Sequence, residues 1–190
     1  MSVKTRFLLL QYLCGMRKLR MDELPRKNRA EFQLAEKLPL VLFLENIRSM
    51  HNVGSVFRTA DAFLVESIYL TGYTPRPPHR DIHKTALGAT ETVSWQYAEN
   101  ALAAVKELKL SGYQIVGVEQ VLGSIPLQEF KLPARGKLVL VFGNEIEGVS
   151  DEMLDICDAC LEIPQFGMKH SLNVSIAAGM VLWELVRSMI

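Results

Sequence analysis

The chain has 190 residues, 49% of them hydrophobic and 22% charged, which suits one folded domain with a full core and excludes a disordered chain. Its 21 Lys and Arg balance 21 Asp and Glu, so net charge alone recruits neither nucleic acid nor membrane. No apolar run reaches the ~18–20 residues of a membrane span, and three cysteines make no disulfide framework, so a cytoplasmic location is expected.

Charge is nevertheless uneven along the chain. Residues 1–31 carry eight Lys and Arg (Lys4, Arg6, Arg17, Lys18, Arg20, Arg26, Lys27 and Arg29) against three acids, a net +5 that leaves −5 on the remainder. A basic arm on an acidic body points to a polyanion held by the arm, or to a solvated tail. Phe7–Leu10 is a brief apolar patch, too short for a signal segment, and Met16 is an alternative start.

In chain order, Asn28–Lys37 reads as a short helix capped by Asn28 and stopped at Pro39. Leu40–Leu44 is a continuous apolar run, the mark of a strand covered on both faces. Val53–Phe63 has helical period, with Val53, Val56, Phe57, Ala60 and Phe63 on one face. Ser67–Leu70 is a strand and Tyr73–His83 a loop rich in proline and charge. A short strand at Val93–Tyr97, a helix at Asn100–Leu110 and strands at Tyr113–Val118 and Lys137–Phe142 follow. Ser150 is placed to cap a helix over Asp151–Ile156. Ala159–Ile163 is the last strand, and Ser171 opens a helix that runs to the C-terminus. Strands alternating with helices predict an α/β fold with a parallel sheet covered on both faces. The organisation expected is a basic extension with a short helix over 1–38 and a single domain over 39–190.

Ligands gather at the carboxyl ends of strands in such sheets, and three segments decorate those ends with polar residues. The first runs from Asn46 to Ala60 and includes Asn52, Gly54 and Arg58. The second is Phe142-Gly-Asn-Glu-Ile-Glu-Gly148, whose glycines permit close backbone approach to a ligand. The third is Ile163-Pro-Gln-Phe-Gly-Met-Lys-His-Ser-Leu-Asn173. Each has a plainer reading: Asn52 and Ser171 as helix caps, Arg58 as a surface ion pair, the second segment as a tight turn. Neither GxGxxG nor GxxxxGK[ST] occurs, so the usual dinucleotide and phosphate cradles are missing. Cys157-Asp-Ala-Cys160 is a lone CxxC between a helix end and a strand, more consistent with two part-buried thiols than with a redox or metal site. His79 and His83 are four apart without the glutamate of HExxH, so no metal is expected there.

Taken together, Asn52-x-Gly54-x-x-x-Arg58-x-Ala60, Phe142-Gly-Asn-Glu145-x-x-Gly148 and Ile163-Pro-x-x-Gly-x-x-x-Ser171-Leu-Asn173-Val-Ser resemble motifs 1, 2 and 3 of the SpoU (TrmH-like) branch of the SPOUT RNA methyltransferases. The likeness runs from about Leu40 to Leu185. It implies a sheet with a C-terminal trefoil knot, a homodimer, S-adenosylmethionine as methyl donor, and methylation of a ribose 2′-hydroxyl in tRNA or rRNA. By the same resemblance Arg58, Asn52, Glu145, Ser171 and Asn173 are the catalytic candidates. Gly143, Ile163 and Leu172 are the cofactor candidates, with Glu119, at the end of a core strand, a weaker one. An arginine, with its pKa above ~12, suits a phosphate and alkoxide anchor better than a general base, though the family role of base stays open. A knotted module that holds RNA without turnover, or a nucleotide-dependent oxidoreductase, are the other readings; the filled motif positions and the missing glycine fingerprint favour the methyltransferase.

Overall fold

A computed structural model describes residues 17–133 and 136–188. The readings for residues 1–16, Met16 included, lie outside them. Thirteen elements are named in chain order: α1 Arg29–Leu34, β1 Leu38–Glu45, α2 Met50–Ala62, β2 Val65–Thr71, α3 Arg80–Ala86, β3 Ser94–Ala98, α4 Ala101–Leu110, β4 Gln114–Val118, β5 Ile125–Pro126, β6 Leu138–Phe142, α5 Asp151–Leu154, β7 Ala159–Glu162 and α6 Val174–Arg187. The strands form one sheet in the order β3-β2-β1-β6-β4-β7-β5, and every pairing is parallel.

Leu40–Leu44 of β1 and all of β6 are apolar because both faces of these central strands are covered. Alternate side chains of β1 divide the core. Leu40, Leu42 and Leu44 pack with Val53, Val56, Phe57 and Ala60 of α2 and with Ala178, Val181 and Leu182 of α6. Val41 and Phe43 point to the opposite face, toward Val105 of α4 and Met153 of α5. Helices α2 and α6 therefore lie on one face and α4 and α5 on the other.

Register places the site. Leu44 pairs with Phe142, Gly117 with Val141 and Val118 with Leu161, so β1, β6, β4 and β7 end side by side along one edge. The three polar segments leave the sheet from three of those ends. Buried polar groups brace this edge. Thr74 donates its hydroxyl to the Leu44 carbonyl (3.0 Å) and accepts from the Ile47 N–H (3.0 Å). Glu45, buried, accepts from both the hydroxyl (2.6 Å) and the N–H (3.0 Å) of Ser150.

Several local expectations change. Ser150 precedes α5 as expected, but its hydroxyl is spent on Glu45, so it makes no side-chain cap. Helix α2 begins earlier than its apolar period suggests: Ser49 is the cap, accepting from the Asn52 N–H, so Asn52 lies inside the first turn. The helix expected from Ser171 starts at Val174, capped by Asn173, whose side chain accepts from the Ser175 N–H. The region read as a Pro-rich loop, Tyr73–His83, runs at its end into α3, a seven-residue helix docked on α2. The docking is close because Gly54 lacks a side chain: a β-carbon there would lie 2.1 Å from Thr85 Oγ1 and 2.3 Å from the Ile82 carbonyl oxygen. The strand β5, two residues long, has too little pattern to be read from sequence.

The CxxC thiols converge over Gly117, where an added β-carbon would meet Cys160 Sγ at 3.1 Å and Cys157 Sγ at 3.4 Å. Burial, aided by Cys160 and Asp158, pushes the Cys157 thiol up to about 12. Against a free thiol near ~8.5, its thiolate fraction at pH 8 falls about a thousandfold. Iodoacetamide labelling followed by mass spectrometry should find Cys157 unmodified in the native protein and fully modified after unfolding. Equal labelling rates in the two states would contradict this placement.

Candidate active site

A polar relay joins the three segments. The Asn173 side chain donates to Asn52 Oδ1 (3.0 Å), and Asn52 Nδ2 donates to Glu145 Oε1 (3.1 Å). Glu145 also accepts from the N–H groups of Arg48 (3.0 Å) and Ser49 (3.3 Å), at the entry to α2. One residue from each segment thus meets at one point, though they are 28 to 121 positions apart in sequence.

Burial alone would raise the Glu145 carboxyl. The N–H of Arg48, its own N–H, the Asn52 amide and the Ser49 N–H outweigh burial and hold it below the usual carboxylate range. It is therefore ionised at neutral pH. Because the folded value is depressed, this stabilisation is present above the ordinary glutamate range, near ~4.3, and is lost as pH falls through the lowered value.

Asn144 fixes the second segment from within. Its side chain donates to the Asn46 carbonyl (2.8 Å) and the Tyr73 hydroxyl (2.6 Å), while its Oδ1 accepts from the N–H groups of Ile146 (2.8 Å) and Glu147 (3.0 Å). Reciprocal backbone bonds between Asn144 and Gly148 (2.8 and 2.9 Å) close the turn. Sequence reading passed over Asn144, Tyr73 and the buried Glu45. An acid at the end of an otherwise apolar strand was the available signal for the last of these.

Beside this relay opens a cleft of about 350 Å³, within the range of small-molecule sites. Gly143, Ile163, Leu172, Ser171, Glu119 and Glu145 all line it, so the expected cofactor set gathers in one place. Glu119 shapes the wall, its two oxygens accepting from the N–H groups of Gln120 (2.8 Å) and Val149 (3.1 Å). Glu147 and Glu162 add two further carboxylates, and among the described residues no Lys or Arg lines the cleft. A lining that mixes polar and apolar surface and carries four carboxylates suits an organic cation and opposes a phosphate-bearing ligand.

Arg58 stands apart. It is exposed, it does not line the cleft, and it makes no hydrogen bond or ion pair among the described residues. Six residues beyond Asn52, it lies about 9 Å further along α2 and roughly 120° around it. The surface ion pair considered for it from sequence is not formed among the described residues, and Glu145 is engaged by the entry to α2.

The model of the SpoU rRNA methylase family matches residues 39–183. A 23S rRNA (guanosine-2′-O-)-methyltransferase of Neisseria meningitidis serogroup B is 36% identical over 149 residues, covering 78% of this chain and 58% of that protein. A tRNA (guanosine(18)-2′-O)-methyltransferase of Aquifex aeolicus is 34% identical over 149 residues, covering 78% of this chain and 69% of that one. The crystal structure of an AdoMet-bound rRNA methyltransferase from Sinorhizobium meliloti superposes with a TM-score of 0.75 at 27% identity, over 85% of this chain and 60% of that chain. The chain spans about three-fifths to two-thirds of the length of these relatives.

Proposed function

The chain belongs to the SpoU methylase family, and from that premise we propose that it transfers a methyl group from S-adenosylmethionine to a ribose 2′-hydroxyl of tRNA or rRNA. The observation that carries this is the Asn173–Asn52–Glu145 relay beside a cleft lined by four carboxylates and, among the described residues, by no Lys or Arg. Such a lining fits a donor whose reacting atom is a sulfonium cation. Bound there, that donor supplies an activated methyl group on positively charged sulfur.

The protein's work is then placement and the handling of one proton. In-line alignment of oxygen, methyl and sulfur contributes several kcal/mol, up to about 7–11 in the best cases. The backbone around Gly143 and the side chains of Ile163 and Leu172 hold the donor. Glu145, kept ionised by the entry to α2, anchors the relay. Asn52, Asn173 and Ser171 present donors and acceptors that orient the ribose. Arg58 grips the phosphate beside the target ribose and stabilises the alkoxide as the hydroxyl proton leaves to a phosphate oxygen or water. Its guanidinium, with a pKa above ~12, is a poor base. The substrate itself must draw Arg58 toward the cleft, which is consistent with its having no hydrogen-bond or ion-pair partner among the described residues.

The remaining features of the reading are a methyltransferase domain over 39–190, a basic RNA-contacting extension over 1–38, a trefoil knot in the C-terminal part, a homodimer and a cytoplasmic location. The return of α6 from β7, past β4 and β6, to pack on α2 is compatible with the knot. Among the described residues no helix is long and apolar enough to cross a membrane.

Tritiated methyl incorporation from labelled S-adenosylmethionine into total RNA of a strain lacking the protein tests the activity. Label on a ribose 2′-oxygen is expected. RNA that binds but takes up no label would favour the knotted RNA-binding module instead.

Dimerisation has its own support. Ile176, Met180 and Trp183 are 57%, 43% and 54% exposed at i, i+4 and i+7 of α6, an apolar stripe facing outward. Val186, three residues beyond Trp183, faces the core and takes no part in the stripe. Light scattering should give twice 21.4 kDa. A concentration-independent monomer would remove the dimer from the reading.

A further inference from the structure

A second cleft, of about 530 Å³, opens beside α3 and takes no part in the relay. Its walls are apolar: Pro77, Pro78, Ile82 and Trp95. Trp95 is half-buried and stands edge-on against buried Phe57 of α2, with centroids 6.4 Å apart and planes at 82°. Its indole is therefore held by the core as a preformed platform.

The rim has the opposite character. His79, Arg80 and His83 line it and are exposed. The nearby acids are already matched: Asp81 pairs with Lys84 at 2.7 Å, and Glu91 with Arg29 at 3.2 Å. Arg80 has no ion-pair partner among the described residues. The Arg29–Glu91 contact also brings the N-terminal segment to this rim. Phe32, buried in the core, fixes α1 there, and Arg26 and Lys27 immediately precede the helix. The surplus positive charge of the arm thus converges on an apolar slot, although the body of the protein is acidic.

Helix α3 connects this slot to the relay. The Thr85 hydroxyl donates to the carbonyl of His51 (3.1 Å), the residue before Asn52. The second cleft is one short helix away from the point where the three polar segments meet.

We propose that the Pro77–Trp95 cleft receives an unpaired nucleobase of the RNA strand flanking the methylated nucleotide, with Arg80 and the arm residues Arg26 and Lys27 on the adjoining phosphates. This inference rests on the RNA reading above. A planar ring against a rigid indole and flat proline faces, with cations set around it, is how single strands are held without a sequence code. A bare phosphate would have no use for the apolar walls. An apolar peptide would have no use for the cationic rim. The slot gives the enzyme a second point of grip, so it selects targets with an unstacked neighbour at a fixed reach.

The test uses the full-length protein. A single-stranded 12-nucleotide RNA of mixed sequence bearing 4-thiouridine is photo-crosslinked, and the attached peptides are mapped by mass spectrometry. Crosslinks within residues 77–95 are expected. The Arg80→Ala/His83→Ala double variant, confined to exposed rim positions, should raise KM for methylatable RNA about tenfold or more, with calorimetric affinity for S-adenosylmethionine unchanged. Crosslinks confined to residues 17–31, with KM unmoved, would overturn the slot. So would protection of Trp95 that follows protein concentration rather than RNA, which would assign the cleft to a protein neighbour. These results are separable from failure of the RNA reading itself, because tritium incorporation by the unmutated protein reports on that independently.

Discussion

Arg58→Ala should abolish methyl transfer while leaving S-adenosylmethionine affinity within about twofold. The arginine is exposed, makes no hydrogen bond or ion pair among the described residues and lies outside the cofactor cleft, so its removal strands no buried partner and leaves the fold intact. Its proposed work is confined to the transition state, where negative charge develops on the ribose oxygen. Loss of one such stabilising donor costs about 10²–10³ in kcat. Arg58→Lys keeps the charge but loses the planar fork, and should recover only part of the rate. The measurements are kcat on total RNA and the calorimetric Kd of the cofactor for each variant. Activity of Arg58→Ala within about tenfold of the unmutated protein, ~1.4 kcal/mol, would remove Arg58 from the reaction. Equal losses in rate and cofactor affinity would place it in binding instead.

The geometry of Arg58 also marks where sequence reading stopped. Apolar runs at Leu40–Leu44 and Lys137–Phe142 announced the central strands because burial on both faces leaves no polar alternation. Strand ends announced the site because parallel register brings them to one edge. Which polar residues meet there is a three-dimensional fact. Asn52, Glu145 and Asn173 converge, while Arg58, on the same helix as Asn52, is turned away by helical periodicity. Caps were legible to within a turn only. Ser49 and Asn173 cap where Asn52 and Ser171 were expected, because Ser and Asn at neighbouring positions compete for the same N–H groups. Helix α3 was hidden by the prolines and charges around it. Its apolar anchors number only two, Ile82 and Ala86, too few to establish a period in seven residues.

Gly143→Ala should both empty the cofactor cleft and lower stability, because at this position space, not dihedral freedom, demands glycine. A β-carbon there would lie 2.1 Å from the Gly148 carbonyl carbon and 2.1 Å from the Val149 nitrogen. Backbone cannot swing aside as a flexible side chain would, and this turn has little slack. Asn144 and Gly148 exchange two backbone bonds, the Asn144 side chain makes four more, and Val149 is tied to Glu119. Relief requires opening the turn, which carries Glu145 away from Arg48, Ser49 and Asn52 and breaks the relay at its anchor. Overpacking of this kind costs about 1–3 kcal/mol. At ~2–4 °C per kcal/mol for a domain of this size, Tm should fall by roughly 4–10 °C. Cofactor affinity should drop by about a hundredfold or more, since the displaced backbone is itself cleft lining. Calorimetric titration of S-adenosylmethionine and a thermal melt read the two effects separately. A variant that melts with the unmutated protein and binds the cofactor within twofold would show that the turn yields freely, and Gly143 would lose its place in the site.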